Sequence, residues 1–210
     1  MKRAATLVIV SGEGMCAEEC AHPFFGDERR EKIARMKIET GKKQMALAEA
    51  AVLAGMKMRF GKCVKNAYRY QSSGKPEAAY AEHGYLSIAH AGDFGACIWA
   101  DVPVGMDIEK SDRTIDRILN RIANEKDAAC ERPIEIWCAK ESYVKLTGEG
   151  LGKPFCGICA KKDRIEADGN SFYLSKGTAG DCVWAVTLKE KRDIDVIFLH
   201  AREALSRLNA

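Results

Sequence analysis

Two short stretches in the second half of the chain hold side chains whose types and spacing suit phosphate chemistry. In Val104-Gly105-Met106-Asp107-Ile108-Glu109, two acids stand two apart, so on a strand both point to one face while Val104, Met106 and Ile108 point to the other. Like charges that close repel unless a cation sits between them or one takes a proton. Carboxylate oxygens are hard ligands, and Mg²⁺ is usually held by one or two of them, with phosphate and water completing its shell. Further along, Trp137-Cys138-Ala139-Lys140-Glu141-Ser142-Tyr143-Val144-Lys145 reads as a helix in which Glu141 and Lys145 share a face, acid N-terminal to base. Trp137 and Val144, seven apart, give that helix an apolar stripe to set against a core. Glu141 is then the third candidate metal ligand beside Asp107 and Glu109. Either pattern alone is ordinary surface decoration; the combination is what suggests a site.

Elements must exist to bring these groups together. Leu7-Val8-Ile9-Val10 reads as a short buried strand. Gly26-Asp27 opens a charged helix over 28–37, whose Arg29, Arg30, Lys32, Arg35 and Lys37 form either a solvated face or an anion contact. Thr40 caps a second helix over 41–54, with Met45, Ala48 and Val52 as its stripe and Gly55 as its stop. Lys42 and Lys43 in its first turn oppose the helix dipole, whereas an anion docked between them meets the same amides favourably. Strands are expected over 64–70, 85–89, 95–100 and 104–109. Ile115, Ile118, Leu119 and Ile122 mark an amphipathic helix, and Pro133 and Gly148-Glu149-Gly150 bound the Trp137 helix. Strands over 164–167, 171–175, 182–189 and 194–199 and a last helix from 202 complete the chain.

Four blocks recur in order. Gly74-Lys75-Pro76, Tyr85-Leu86-Ser87, Ala91-Gly92-Asp93 and Cys97-Ile98-Trp99-Ala100 return as Gly152-Lys153-Pro154, Tyr173-Leu174-Ser175, Ala179-Gly180-Asp181 and Cys182-Val183-Trp184-Ala185. The expected fold is α/β, of the α+β kind: a pseudo-twofold duplication of two halves, 1–103 and 104–210. Each half packs a helix on a small, mostly antiparallel sheet, with the active site in the cleft between them.

Composition narrows the function classes. The 210 residues are 47% hydrophobic with a net charge of +3, a mild balance that calls for neither nucleic acid nor membrane but suits an anionic ligand. No run of eighteen apolar residues occurs and the first ten residues do not form a secretory signal, so a cytoplasmic protein is expected. Nine cysteines then read as reduced thiols. Cys156-Gly157-Ile158-Cys159 lacks a second such pair, and Cys16, Cys20 and His22 lack a fourth zinc ligand, so both are taken as bystanders.

The paired blocks at residues 104–109 and 137–145, followed by Gly148-x-Gly150-Leu151, resemble the signature of the 4′-phosphopantetheinyl transferase superfamily. Gly74-Lys75-Pro76 and Leu86-Ser87-Ile88-Ala89-His90-Ala91 are similar to upstream blocks of its two-halved, surfactin-synthetase-activating type. The resemblance implies transfer of the 4′-phosphopantetheine arm of coenzyme A to a serine of an apo acyl or peptidyl carrier protein, releasing adenosine 3′,5′-bisphosphate. It implies a monomer with Mg²⁺ on Asp107, Glu109 and Glu141, Glu141 also taking the serine proton, and Lys145 meeting the departing phosphate. Lys140, Lys75 and His90 are then expected at the coenzyme's phosphates, and Lys32, Arg35 and Lys43 at its 3′-phosphate end. Where the family carries Asn-x-Ser-His-Ser, this chain has Ala89 and Ala91 around His90, which motivates an alternative: a coenzyme A binding protein without turnover.

Overall fold

The computed structural model describes residues 4–127, 132–152 and 154–208; Lys153 of the second Gly-Lys-Pro block lies outside them. The chain begins with strand β1 (Ala5–Ser11), a four-residue helix α1 (Ala17–Cys20), α2 (Asp27–Arg35) and the long α3 (Glu39–Phe60). Strands β2 (Tyr68–Tyr70), β3 (Pro76–Ala78), β4 (Tyr85–Ala91), β5 (Phe94–Ala100) and β6 (Val104–Lys110) follow. Then come α4 (Asp116–Ile122), α5 (Pro133–Thr147), β7 (Cys159–Ala160), β8 (Arg164–Ala167), β9 (Asn170–Ala179), β10 (Cys182–Leu188), β11 (Ile194–His200) and α6 (Ala201–Ser206).

Two main sheets form, ordered β11-β1-β5-β4 and β6-β10-β9-β8-β7, beside the small hairpin β2-β3. The order β1-β5-β4 with α3 following β1 repeats as β6-β10-β9 with α5 following β6, which is the duplication in topological form. The expected boundary at 103/104 falls in the connection from β5 to β6. β11 then runs back to pair in parallel with β1, so the first sheet is completed by the end of the chain. A parallel neighbour requires such a crossover.

Three cores explain the strand sequences. Val8 and Val10 of β1 face α3, while Leu7 and Ile9 join a cluster shared by strands of both sheets. Covered on both faces, β1 reads as an unbroken apolar run. On β6, Val104, Met106 and Ile108 enter the shared cluster, which leaves the alternate positions Gly105, Asp107 and Glu109 on the other face. The third cluster holds α5 against the second sheet through Ala139, Tyr143, Val183 and Ala185. Among the described residues, no helix is long and apolar enough to cross a membrane.

The structure departs from the sequence reading in four places. Thr40 does not cap the second helix but lies in its first turn, since α3 starts at Glu39 after Ile38. The helix expected to stop at Gly55 continues to Phe60 and is capped by Gly61 at φ 73°. Gly55 lies inside it because a Cβ there would stand 3.0 Å from Trp99 Cδ1 and 3.3 Å from Val8 Cγ2; its bareness lets the indole lie close to the helix. The strand expected over 64–70 shrinks to β2. The Cys-x-Trp-Ala blocks are out of register: Ala91 pairs with Phe94 and Ala179 with Cys182, so Trp184 stands at the level of Ala96, not of Trp99. Trp99 accordingly packs with α3, and Trp184 in the shared cluster.

Gly105 sets how closely β6 approaches α5, since a Cβ on it would overlap the Ser142 carbonyl oxygen and the Leu146 backbone nitrogen. Gly105→Ala is expected to cost about 1–3 kcal/mol in denaturant unfolding, the usual range for overpacking. Gly157→Ala, where no atom lies within 4 Å, should leave the midpoint almost unchanged.

Candidate active site

α5 starts with Pro133 in its first turn and ends at Gly148 with φ 78°, the breaks its sequence calls for. Its buried side fixes its rotation: the Ser142 and Thr187 hydroxyls meet at 2.6 Å, and Tyr143 donates to Asp168 at 3.2 Å. That rotation turns Glu141 and Lys145 outward, one helical turn apart, over β6. Lys145 Nζ donates to Asp107 Oδ1 at 2.7 Å. Asp107 is only 6% exposed, and its second oxygen, Oδ2, is buried with no partner. Glu109 accepts from the Trp137 indole N–H at 2.9 Å and pairs with Arg113, whose guanidinium lies 5.4 Å from the centre of the Trp137 ring.

These groups load one another electrostatically. Burial, then the charge of Asp107, pushes the Glu141 carboxyl up to about 7, against the pull of Lys145. Burial also raises Asp107, with Lys145 opposing it. Burial would lower Lys145, but the charge and hydrogen bond of Asp107 outweigh that and hold it above the ordinary lysine value. Glu141 is therefore close to half-ionised near neutral pH, beside a lysine that stays charged.

Beside this cluster lies a cleft of about 410 Å³, walled by residues from both halves. Glu141, Lys145 and Gly148 form one wall; Ser87 and His90 of β4, Lys75, and Arg29, Lys32 and Tyr70 form the others. Lys75 donates to the Leu146 carbonyl, joining the hairpin to α5, and burial holds its ammonium below the ordinary lysine value. Desolvation and the charge of Lys145 depress His90. Ser87 Oγ accepts from the Met106 N–H at 3.0 Å and so ties β4 to β6. The result is a cation-rich cleft with one poised carboxyl, fitted to a multiply phosphorylated ligand.

Of the residues singled out in the sequence, Lys32, Lys75, His90, Glu141 and Lys145 line this cleft, with Asp107 held by Lys145. Among the described residues, no three carboxylate, histidine or cysteine side chains converge as a metal cluster, because Asp107 is turned to Lys145 and Glu109 to Trp137 and Arg113. Arg35 and Lys43 are not among the cleft's lining residues. Arg35, on the last turn of α2, pairs with Glu31 at 3.0 Å in solvent, and Lys43 pairs with Asp93 at 2.8 Å at the β4–β5 turn. Lys140 is a correction. It is 0% exposed, with Nζ on Asp127 Oδ2 at 2.8 Å and on the carbonyls of Ile122 and Phe155, so it fastens the segment after α4 and cannot meet a coenzyme phosphate. Ala89 and Ala91 belong to the shared core, not to the cleft wall.

In the sequence Arg29 stands out only as one member of the basic cluster, and Tyr70 only as part of a strand. Arg29 Nε pairs with buried Glu49 at 3.0 Å and its guanidinium donates to the Tyr70 hydroxyl at 2.7 Å; Tyr68 also donates to Glu49, at 2.8 Å. Lys32 Nζ lies 5.3 Å from the centre of the Tyr70 ring. A signal was present: Glu49 follows Met45 by four and precedes Val52 by three, so an acid stands in an apolar stripe and needs a cation.

Lys140→Met should lower stability by about 3–5 kcal/mol, because it breaks a buried ion pair and leaves Asp127 with only the Asn124 and Ala160 N–H groups. Adding Asp127→Asn should recover part of that loss in urea melts. A Lys140→Met protein as stable as the parent would contradict the strut role.

Residues 103–197 match the family model of the 4′-phosphopantetheinyl transferase superfamily. The 4′-phosphopantetheinyl transferase Sfp of Bacillus subtilis (strain 168) is 27% identical over 158 residues, covering 70% of this chain and 69% of that protein. The 4′-phosphopantetheinyl transferase psf-1 of Bacillus pumilus is 24% identical over 172 residues, covering 77% and 72%. Among solved structures, the holo-[acyl-carrier-protein] synthase of Thermotoga maritima aligns with a TM-score of 0.32 and 22% identity over 43% of this chain and 64% of that one. The family model thus matches 103–197, and the relatives of the Sfp kind align over 70% and 77% of the chain, so the chain is similar to 4′-phosphopantetheinyl transferases over most of its length.

Proposed function

We propose that this protein transfers the 4′-phosphopantetheine group of coenzyme A to a serine hydroxyl of an apo carrier protein and releases adenosine 3′,5′-bisphosphate. The observation that carries the reading is the pairing, in one cleft, of a carboxyl with a row of cations: Glu141 beside Lys145, facing Lys75, Lys32 and Arg29, with the His90 imidazole among them. Attack of an alcohol on a pyrophosphate phosphorus needs positioning and charge neutralisation more than covalent help. A new bond forms from the serine oxygen to phosphorus, and the bridging phosphorus–oxygen bond breaks. The serine proton passes to Glu141, the carboxyl that lines the cleft. Lys145 neutralises the oxygen that leaves on the adenosine bisphosphate. Lys75, His90 and Lys32, with Arg29, hold the coenzyme's phosphates.

Mg²⁺ would be held by Asp107, Glu109 and Glu141. One observation supports the fit, the buried oxygen Asp107 Oδ2 without a partner; Asp107 and Glu109 would give up their contacts with Lys145 and Arg113 to hold the metal. When bound, the metal neutralises charge on the pyrophosphate. The reading of a coenzyme A binder without turnover rested on Ala89 and Ala91; both lie in the shared core, so no hydroxyl is missing from the cleft on their account.

Intact-mass analysis of an apo carrier protein incubated with the enzyme, coenzyme A and Mg²⁺ should show addition of one phosphopantetheine. Glu141→Gln should reduce the rate by about 10²–10⁴-fold, the range for loss of a general base. Undiminished transfer by Glu141→Gln, or transfer unaffected by chelator, would contradict the assignment.

A further inference from the structure

The two carboxylates on β6 already carry counter-ions from the protein, and these differ in how firmly they are held. Lys145 donates to Asp107 Oδ1, yet its side chain is 33% exposed and lines the cleft. Lys140, five residues earlier on the same helix, shows the opposite design: wholly buried, with three oxygens around its ammonium. Lys140 is a strut, whereas Lys145 opens on the cleft. The other oxygen of Asp107 is buried and unpartnered, which is the arrangement left when a single monovalent cation balances a carboxylate placed for something larger in charge.

We propose that Lys145 is an exchangeable counter-ion. Its ammonium neutralises Asp107 while no divalent cation is bound, a divalent cation entering between Asp107 and Glu141 displaces it, and the freed ammonium turns into the cleft toward a substrate phosphate. The idea rests on the reading of Asp107, Glu109 and Glu141 as metal ligands, and extends it from who binds the metal to what the metal must replace. The exchange keeps charge compensated at each stage: Asp107 trades a monocation for a share of a dication, and the ammonium trades a carboxylate for a phosphate. It also couples the two binding events, since the metal delivers the lysine to the phosphate. Arg113, paired with Glu109 and exposed, is the corresponding counter-ion of the second carboxylate.

The test is calorimetric titration of the whole protein with MgCl₂ alone, without coenzyme A or carrier. Lys145→Met removes the competing cation and should bind Mg²⁺ about tenfold more tightly than the parent, the scale of one nearby charge in a partly solvated site. Lys145→Arg, which keeps the competing charge, should stay near the parent. Lys145→Met leaves Asp107 unbalanced in the absence of metal, so it can be marginally folded. Thermal unfolding of Lys145→Met and of Lys145→Gln across a Mg²⁺ series provides the second readout, with a metal-induced rise in Tm larger than the parent's. Equal or weaker Mg²⁺ binding by Lys145→Met, with an equal or smaller rise in Tm, would overturn the exchange while leaving the metal site standing. Absence of Mg²⁺ binding in parent and variants alike would overturn the metal reading, and the exchange with it.

Discussion

Asp107 is a carboxylate buried to 6% exposure, with one oxygen on Lys145 and the other facing no partner, and much of the second half exists to keep it there. Burying a charge is costly unless it is compensated at close range. The compensation comes from α5, so α5 must lie hard against β6. Gly105 permits that approach, the hydroxyl contact between Ser142 and Thr187 fixes the helix's rotation, and Ser87 of the first half holds β6 from the other side. The same placement puts Glu141 next to Asp107 and leaves it with a pKa of about 7. Site electrostatics and packing are one constraint.

The two halves contribute unequally to the cleft. The second half brings the groups proposed to react, Glu141 and Lys145, and the first brings the cations Lys75, Lys32 and Arg29 with the His90 imidazole. Duplication accounts for this division, because each half presents a long helix and a hairpin, and only in the second do β6 and α5 carry the acids. Lys75 joins the walls by donating across to the Leu146 carbonyl. A phosphorylated ligand in this cleft therefore touches both halves at once.

The sequence made the central features legible through periodicity. Acids two apart on a strand and an acid–base pair four apart on a helix place Asp107, Glu109, Glu141 and Lys145 without knowledge of the rest, and repeated blocks announced two similar halves. What it could not reveal was which way neighbouring side chains turn. Lys140 and Glu141 are adjacent, yet one helical step separates a buried strut on Asp127 from a cleft carboxyl, and Asp127 is not near in sequence. Gly55 resembles a helix stop but is a packing vacancy for Trp99, a partner known only from the fold. Arg35 and Lys43 share the charge of Lys32 but not its direction. The short range of periodic patterns explains each error: they predict faces, not what a face meets.

The most direct test of the account is a crystal structure of the enzyme with coenzyme A and Mn²⁺, located by its anomalous signal as a stand-in for Mg²⁺. The expected result is metal held by Asp107, Glu109 and Glu141, the pyrophosphate against Lys75 and His90, and Lys145 Nζ withdrawn from Asp107. Coenzyme bound elsewhere, or bound in this cleft with no metal on the three carboxylates and Lys145 still on Asp107, would contradict it.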